Sequence, residues 1–166
     1  MRYRDCPTVE VSERMAVAVD TAWAAVTDIT LPTRFSSEIQ TVAWLDGATE
    51  PVVGARFEGH NRNEHLGEWT TTCTVAEVEA PRRWTWAVSA GGGTWSTWGF
   101  EVDPVRDGVV VRQWLRMGPG RSGLNIAIDA MPDREGRIIE VRLAEHRTAM
   151  AANLVGLRTQ LEGPTA

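Results

Sequence analysis

His146 interrupts an otherwise apolar row near the C-terminus, in which Ile139, Leu143, Met150, Leu154, Leu157 and Leu161 recur at intervals of three and four. An imidazole in that row faces whatever the helix covers, where it can donate or accept a hydrogen bond or titrate near neutral pH. Asn153 follows seven residues later, two helical turns along nearly the same face, so the two side chains can meet one bound molecule. Two further uncharged polar groups stand among apolar neighbours. Asn61 shares a strand face with Phe57, and Gln113 is the polar member of the row Val109, Val111, Leu115 and Met117. Such groups can orient a ligand or polarise a carbonyl, and His146 adds proton transfer. The plainer roles stay open: a histidine bonded within the fold, amides satisfied inside a core, and a strand-end glutamine near water.

The chain holds eight tryptophans, and six of them fall between residues 69 and 114. Trp69, Trp86 and Trp98 come from three strands and share the inward face, where they form either an aromatic pocket wall or plain core. Phe35, Phe57 and Met150 complete the apolar candidates for ligand contact, and Ser36 and Ser37 stand beside Phe35. Trp114 alternates to the outward face, at a rim or an interface, and with Trp95 it is the one hint of a protein-interaction surface.

Other chemistries are excluded. All seventeen basic residues are arginine, so Schiff-base catalysis and covalent pyridoxal phosphate have no amine to use. The single tyrosine, Tyr3, belongs to a terminus expected to be mobile, which removes a pocket phenol. Gly91-Gly92-Gly93 reads as a hairpin turn, since a phosphate loop leads from a strand into a helix. His60 and His65, with Glu64 and Glu68 nearby, lack zinc spacing, so neither metal nor cofactor is expected. Cys6 and Cys73 are expected to be free thiols. A net charge of -5 without a basic cluster speaks against nucleic acid. No stretch is apolar enough for a membrane span and the first residues lack the run of a signal peptide, so the expected location is cytoplasmic.

Positioning these residues requires an ordered set of elements. Val9 to Met15 alternates as a strand, and two short helices follow at about 21–28 and 32–37. From Gln40 onward, period-two patterning is cut by turn signals into six strands, which close spacing makes an antiparallel meander. A helix of about thirty residues, roughly 45 Å, runs from Pro132-Asp133 to Glu162. A seven-stranded sheet curls under its own twist, and that helix alone is long enough to cover its concave face. The reading is one α+β domain at 8–163, with tails at 1–7 and 164–166, as a monomer or homodimer. It encloses a cavity for an apolar small molecule, whether aromatic, polyketide-like or lipid-like.

Val9-Glu10-Val11-Ser12 leading to Asp20-Thr21-Ala22-Trp23, Val53-Gly54-Ala55-Arg56-Phe57-Glu58-Gly59, Trp69-Thr70-Thr71-Thr72-Cys73, Trp98-Gly99-Phe100-Glu101 and the closing His146, Met150, Asn153 and Leu154 carry a family likeness. Together they resemble the START-like, birch-pollen-allergen-like SRPBCC superfamily, and within it the bacterial polyketide cyclase/dehydrase group. The resemblance implies a helix-grip fold with a curved seven-stranded antiparallel sheet around the C-terminal helix. It also implies either ligand carriage or ring closure in a polyketide cyclase, aromatase or dehydratase, where His146 would be the catalytic candidate. The arginine and tyrosine common in such cyclase pockets have no evident counterpart, because the strand arginines alternate outward.

Overall fold

The computed structural model describes residues 1–89 and 93–163, so Gly91 and Gly92 of the expected turn and the tail at 164–166 lie outside the described residues. Seven strands, β1 (Thr8–Met15), β2 (Ile39–Trp44), β3 (Arg56–Asn63), β4 (Gly67–Glu79), β5 (Arg83–Ser89), β6 (Thr94–Val105) and β7 (Gly108–Met117), form one sheet. Its order is β1-β7-β6-β5-β4-β3-β2, antiparallel throughout. Between β1 and β2 the chain passes through α1 (Val19–Val26) and α2 (Leu31–Phe35), which carry it from one edge of the sheet to the other. The curved sheet and the long helix α4 (Glu135–Glu162) make this an α+β helix-grip fold. None of the described helices is long and apolar enough to cross a membrane.

Alternation sets the faces as expected of a pleated sheet with one side covered. On β7, Val109, Val111, Gln113, Leu115 and Met117 are buried, while the residues between them are not. Val11 of β1 pairs with Gln113, which places the polar side chain in the middle of the covered face. Trp114 belongs to the convex face instead of a rim. Its ring lies over Gly99, where a Cβ would come within 2.5 Å, and its Nε1 donates to Glu101 at 3.2 Å.

Three features differ from the sequence reading. The long helix begins at Glu135, because Pro132–Arg134 first form a 3-10 turn. A further helix, α3 (Leu124–Ala130), precedes it. Seven residues are too few for helical periodicity to stand out, and the end is marked locally: Asn125 Oδ1 accepts from the Ser122 N–H at 2.7 Å. Tyr3 is not mobile. It is buried, its hydroxyl donates to the Gly120 carbonyl at 3.0 Å, and its backbone N–H donates to Glu135 at 2.8 Å, strapping the N-terminal segment to the start of α4.

The interior divides into two apolar clusters. One joins Met15, Val26, Leu31, Phe57, Trp84, Trp86, Phe100, Val111, Leu154 and Leu157 at the end of the sheet near α1 and α2. The other joins Tyr3, Val9, Leu115, Met117, Ile128, Ile139, Leu143 and Met150 at the α3 end. Partly buried Val11 and Trp98 touch both. Helix α4 packs along β1 and against α2. The second contact depends on Gly156, where a Cβ would lie 2.3 Å from Cδ1 of the Phe35 ring.

Gly156→Ala therefore sets two effects against each other. Helix propensity favours alanine by about 1 kcal/mol, whereas overpacking against a ring centre costs about 1–3 kcal/mol. The expected outcome in urea unfolding is a net loss of stability that becomes a gain in a Phe35→Ala background. A stabilising Gly156→Ala in the otherwise native chain would contradict the contact.

Candidate functional site

Between the two clusters lies a layer of uncharged polar side chains. Gln113 separates Val111 of the first cluster from Leu115 of the second along β7, and Asn153 separates Leu154 from Met150 on α4. Both side chains are only 2% exposed, and Asn153 Nδ2 donates to Gln113 Oε1 at 3.4 Å. Asn153 Oδ1 is buried without a donor among the described residues. His146, half-buried two turns earlier, meets Trp98 edge-on, with ring centroids 5.2 Å apart and planes at 86°. Trp98 and Trp86 are nearly parallel at 9° with centroids 6.3 Å apart, and Trp86 continues to Trp84 at 4.4 Å. Asn61, buried on β3, donates to the Gly59 carbonyl at 3.2 Å and to the carbonyl of Trp69 across the strand pair at 3.4 Å.

The structure thus brings His146, Trp98 and Trp86 into one aromatic row, and Gln113 and Asn153 into one amide pair. Met150 is fully buried beside them in the second cluster. Phe35 does not join this row, whereas Phe57 adjoins Trp86 with ring centroids 6.1 Å apart. Phe35 lies against α4 at Gly156, and Phe57 packs edge-on with Trp44 at 5.4 Å within the first cluster. Ser36 and Ser37 line a surface groove beside Phe35.

That groove, about 1240 Å³, runs between α4, the segment after α2 and the tip of the β3–β4 hairpin. A smaller pocket of about 260 Å³ adjoins it under Leu66, Leu124 and Ile138. Where the two meet stands a charged cluster that sequence reasoning missed. Both terminal nitrogens of the Arg142 guanidinium reach Glu38, at 2.7 and 2.6 Å, and one also reaches Glu145 at 2.8 Å. Asn63 donates to Glu38 at 3.0 Å, and the guanidinium lies 6.0 Å from the Trp69 ring centre. The inward arginine sought on the strands is on the helix. Its signal was available, because Arg142, His146 and Asn153 form a polar row at helical spacing beside the apolar one, with Glu145 three residues from Arg142.

Electrostatics alter the expected role of His146. Burial, reinforced by the charge of Arg142 and only partly opposed by Glu38, pushes its pKa down from 6.5 to about 3. It is a neutral imidazole throughout the physiological range, with one donor and one acceptor, and not a group that titrates near neutrality. For Glu38, burial works against the charge, but the hydrogen bonds and charge of Arg142 outweigh it and hold the carboxylate below the usual range. Burial likewise disfavours the charge on Arg142, and Glu38 and then Glu145 more than restore it. Burial pushes the Cys73 thiol up to about 12, so it is not an available nucleophile.

A family model described as polyketide cyclase / dehydrase and lipid transport matches residues 7–161. Among solved structures, a polyketide-cyclase-like protein of Corynebacterium glutamicum is similar at 28% identity, covering 93% of this chain and 91% of its own, with a TM-score of 0.65. One half of the di-domain ARO/CYC BexL, from the BE-7585A biosynthetic pathway, superposes with a TM-score of 0.73 at 12% identity, over 96% of this chain and 51% of that one. Ara h 8.0201 follows at 0.58 and 10%, covering 91% of this chain and 97% of its own. These last two establish the fold alone. No functionally curated protein matches the sequence.

Two measurements check the electrostatics. With Arg142 only 11% and Glu38 20% exposed, Arg142→Met should cost about 3 kcal/mol in chemical denaturation, because it strands a carboxylate, and adding Glu38→Gln should recover part of that loss. A cost below about 1 kcal/mol would place the pair with ordinary surface ion pairs. For His146, the folded pKa of about 3 lies below the ordinary 6.5, so the unfolded chain binds the proton more readily. Its contribution to stability is therefore full above about 6.5 and declines as pH falls toward about 3. The loss of stability between pH of about 7 and about 5 should be smaller in His146→Gln than in the native chain, and equal losses would refute the neutral buried imidazole.

Proposed function

Because the chain belongs to the polyketide cyclase/dehydrase and lipid transport family, we propose that it binds an apolar small molecule between α4 and the concave face of its sheet, entered beside Arg142. The observation that carries this reading is the uncharged polar layer separating two apolar clusters. A chain selected for stability alone would fill the positions of Gln113 and Asn153 with side chains like their neighbours Leu115 and Leu154. Indoles supply a large apolar contact area, and a few fixed hydrogen-bonding groups give orientation, which is the usual composition of a ligand site. The approach is the groove beside the Glu38–Arg142 pair, where the chain contributes polar groups around an apolar floor.

Binding accounts for these groups better than acid–base catalysis does. A general base works best with a pKa near the operating pH, and His146 at about 3 is far from it. The family also covers cyclisation and dehydration, in which this imidazole would serve as a neutral hydrogen-bond donor to a carbonyl.

The test is a titration of the native protein with fused-ring aromatic, polyketide-like and fatty-acyl compounds, following tryptophan emission and melting temperature. Quenching is expected, because Trp98 and Trp86 adjoin His146. At a ligand concentration of about one hundred times Kd the protein should gain about 2.7 kcal/mol. If no compound changes either signal, and mass spectrometry of the denatured protein releases no copurified molecule, the binding reading fails.

A further inference from the structure

The two edges of the sheet are finished differently. At β1 the helix α4 covers the open side: Arg147 donates to the Glu10 carbonyl at 3.4 Å, and Glu162 accepts from the Ala16 N–H at 2.6 Å just past the strand. At β2, the opposite end of the strand order, Leu45 N–H donates to the Arg56 carbonyl at 2.9 Å. Alternation therefore turns the backbone groups of Thr41 and Ala43 toward β3 and those of Val42 and Trp44 toward the open side. No hydrogen bond among the described residues reaches those outward groups. Exposed edges usually carry a lysine, a proline or a bulge that discourages pairing, and Thr41-Val42-Ala43-Trp44 contains no charge and no proline. The bulge in this strand lies upstream, between Ile39 and Thr41, where the Gln40 amide turns back onto the carbonyls of Ser37 and Glu38 at 2.7 and 3.1 Å.

We propose that β2 is the contact through which two copies of this chain associate, antiparallel across a two-fold axis at Ala43. Outward donors and acceptors along an extended strand match another extended strand, and an antiparallel two-fold pair makes one edge its own complement. With Ala43 facing the partner's Ala43, Val42 of each copy exchanges N–H to C=O bonds with Trp44 of the other. The axis then falls on a non-hydrogen-bonded pair, where Cα atoms approach to about 4.5 Å, and Ala43 brings only an exposed methyl to that crossing. On the concave side Val42 and Trp44, both half-buried against the first apolar cluster, meet across the axis. Thr41 faces the partner's Leu45, so no like charges oppose one another within the paired run. At its end Asp46 is already held by Arg56 at 2.8 Å, which leaves nothing there to select a charged partner instead. The contact requires no ligand.

Sedimentation equilibrium of the full chain from about 10 μM to about 1 mM tests this, since a contact this short belongs with small, weakly held interfaces. The average mass should rise from that of one chain toward that of two. Ala43→Lys sets like charges face to face at the axis and should weaken association about tenfold or more. Its melting temperature should stay within about 2 °C of the native value, because the position is exposed in the single chain. Cysteine substitution reads the register. In a Cys6→Ser background, with Cys73 buried, Ala43→Cys should form an intermolecular disulfide under mild oxidation, since about 4.5 Å between Cα atoms is within disulfide reach. Thr41→Cys stands opposite Leu45 and out of reach of its own equivalent, so it should crosslink about tenfold more slowly or less. The crosslinking comparison also decides the matter if Ala43→Lys does not fold. A chain that stays monomeric throughout, association unchanged in a folded Ala43→Lys, or equal crosslinking at the two positions would overturn the assignment.

Discussion

The arrangement depends on how α4 is held across a sheet wider than itself. Along one side the helix lies on β1, where apolar packing is continuous and Arg158 pairs with Glu13. Toward the other side it is anchored by Phe35 against Gly156 and by Arg142 on Glu38. A helix about 10–12 Å across cannot fill the concavity of seven strands spaced nearly 5 Å apart, so one flank stays open. The groove beside the β3–β4 hairpin is that flank. The Arg142–Glu38 pair holds it to a fixed width, because a bidentate guanidinium–carboxylate contact tolerates little change in distance or angle.

This placement explains why charge is found beside the groove and not deeper. A buried ion pair loses hydration and recovers it only when its remaining groups are also bonded. Glu38 meets that demand through Asn63, and Arg142 through Glu145. Further in, between Leu143 and Leu157, a charged group would have no such partners. The polar side chains there are neutral: amides at Gln113, Asn153 and Asn61, and an imidazole whose pKa is driven to about 3 by burial and by the arginine one turn away.

Much of the fold was legible because two periods alternate cleanly along the chain. The inward rows of β3 to β7 follow from period two, and the α4 stripe from spacings of three and four. Asn61, Gln113, Asn153 and His146 were visible for the same reason, as polar residues at positions that pattern assigns to the interior. What stayed hidden has a common cause, since each case is a contact between residues far apart in sequence. Tyr3 was read as terminal, yet its partners are Trp95, Gly120 and Ser122 on the β6–β7 side. Glu38 lies in a connection without periodicity, 104 residues from the arginine that gives it meaning. Alternation said that an inward strand arginine was missing, but it does not report on a helix flank that curves back over the open edge.

The amide pair bears on why this interior is not simply apolar. Hydrophobic replacement of buried polar groups is frequently neutral or stabilising, so a polar layer carries a standing cost unless something completes it. Here Asn153 Oδ1 has no donor among the described residues. The layer also falls where, among the described residues, the partly buried Val11 and Trp98 touch both apolar clusters.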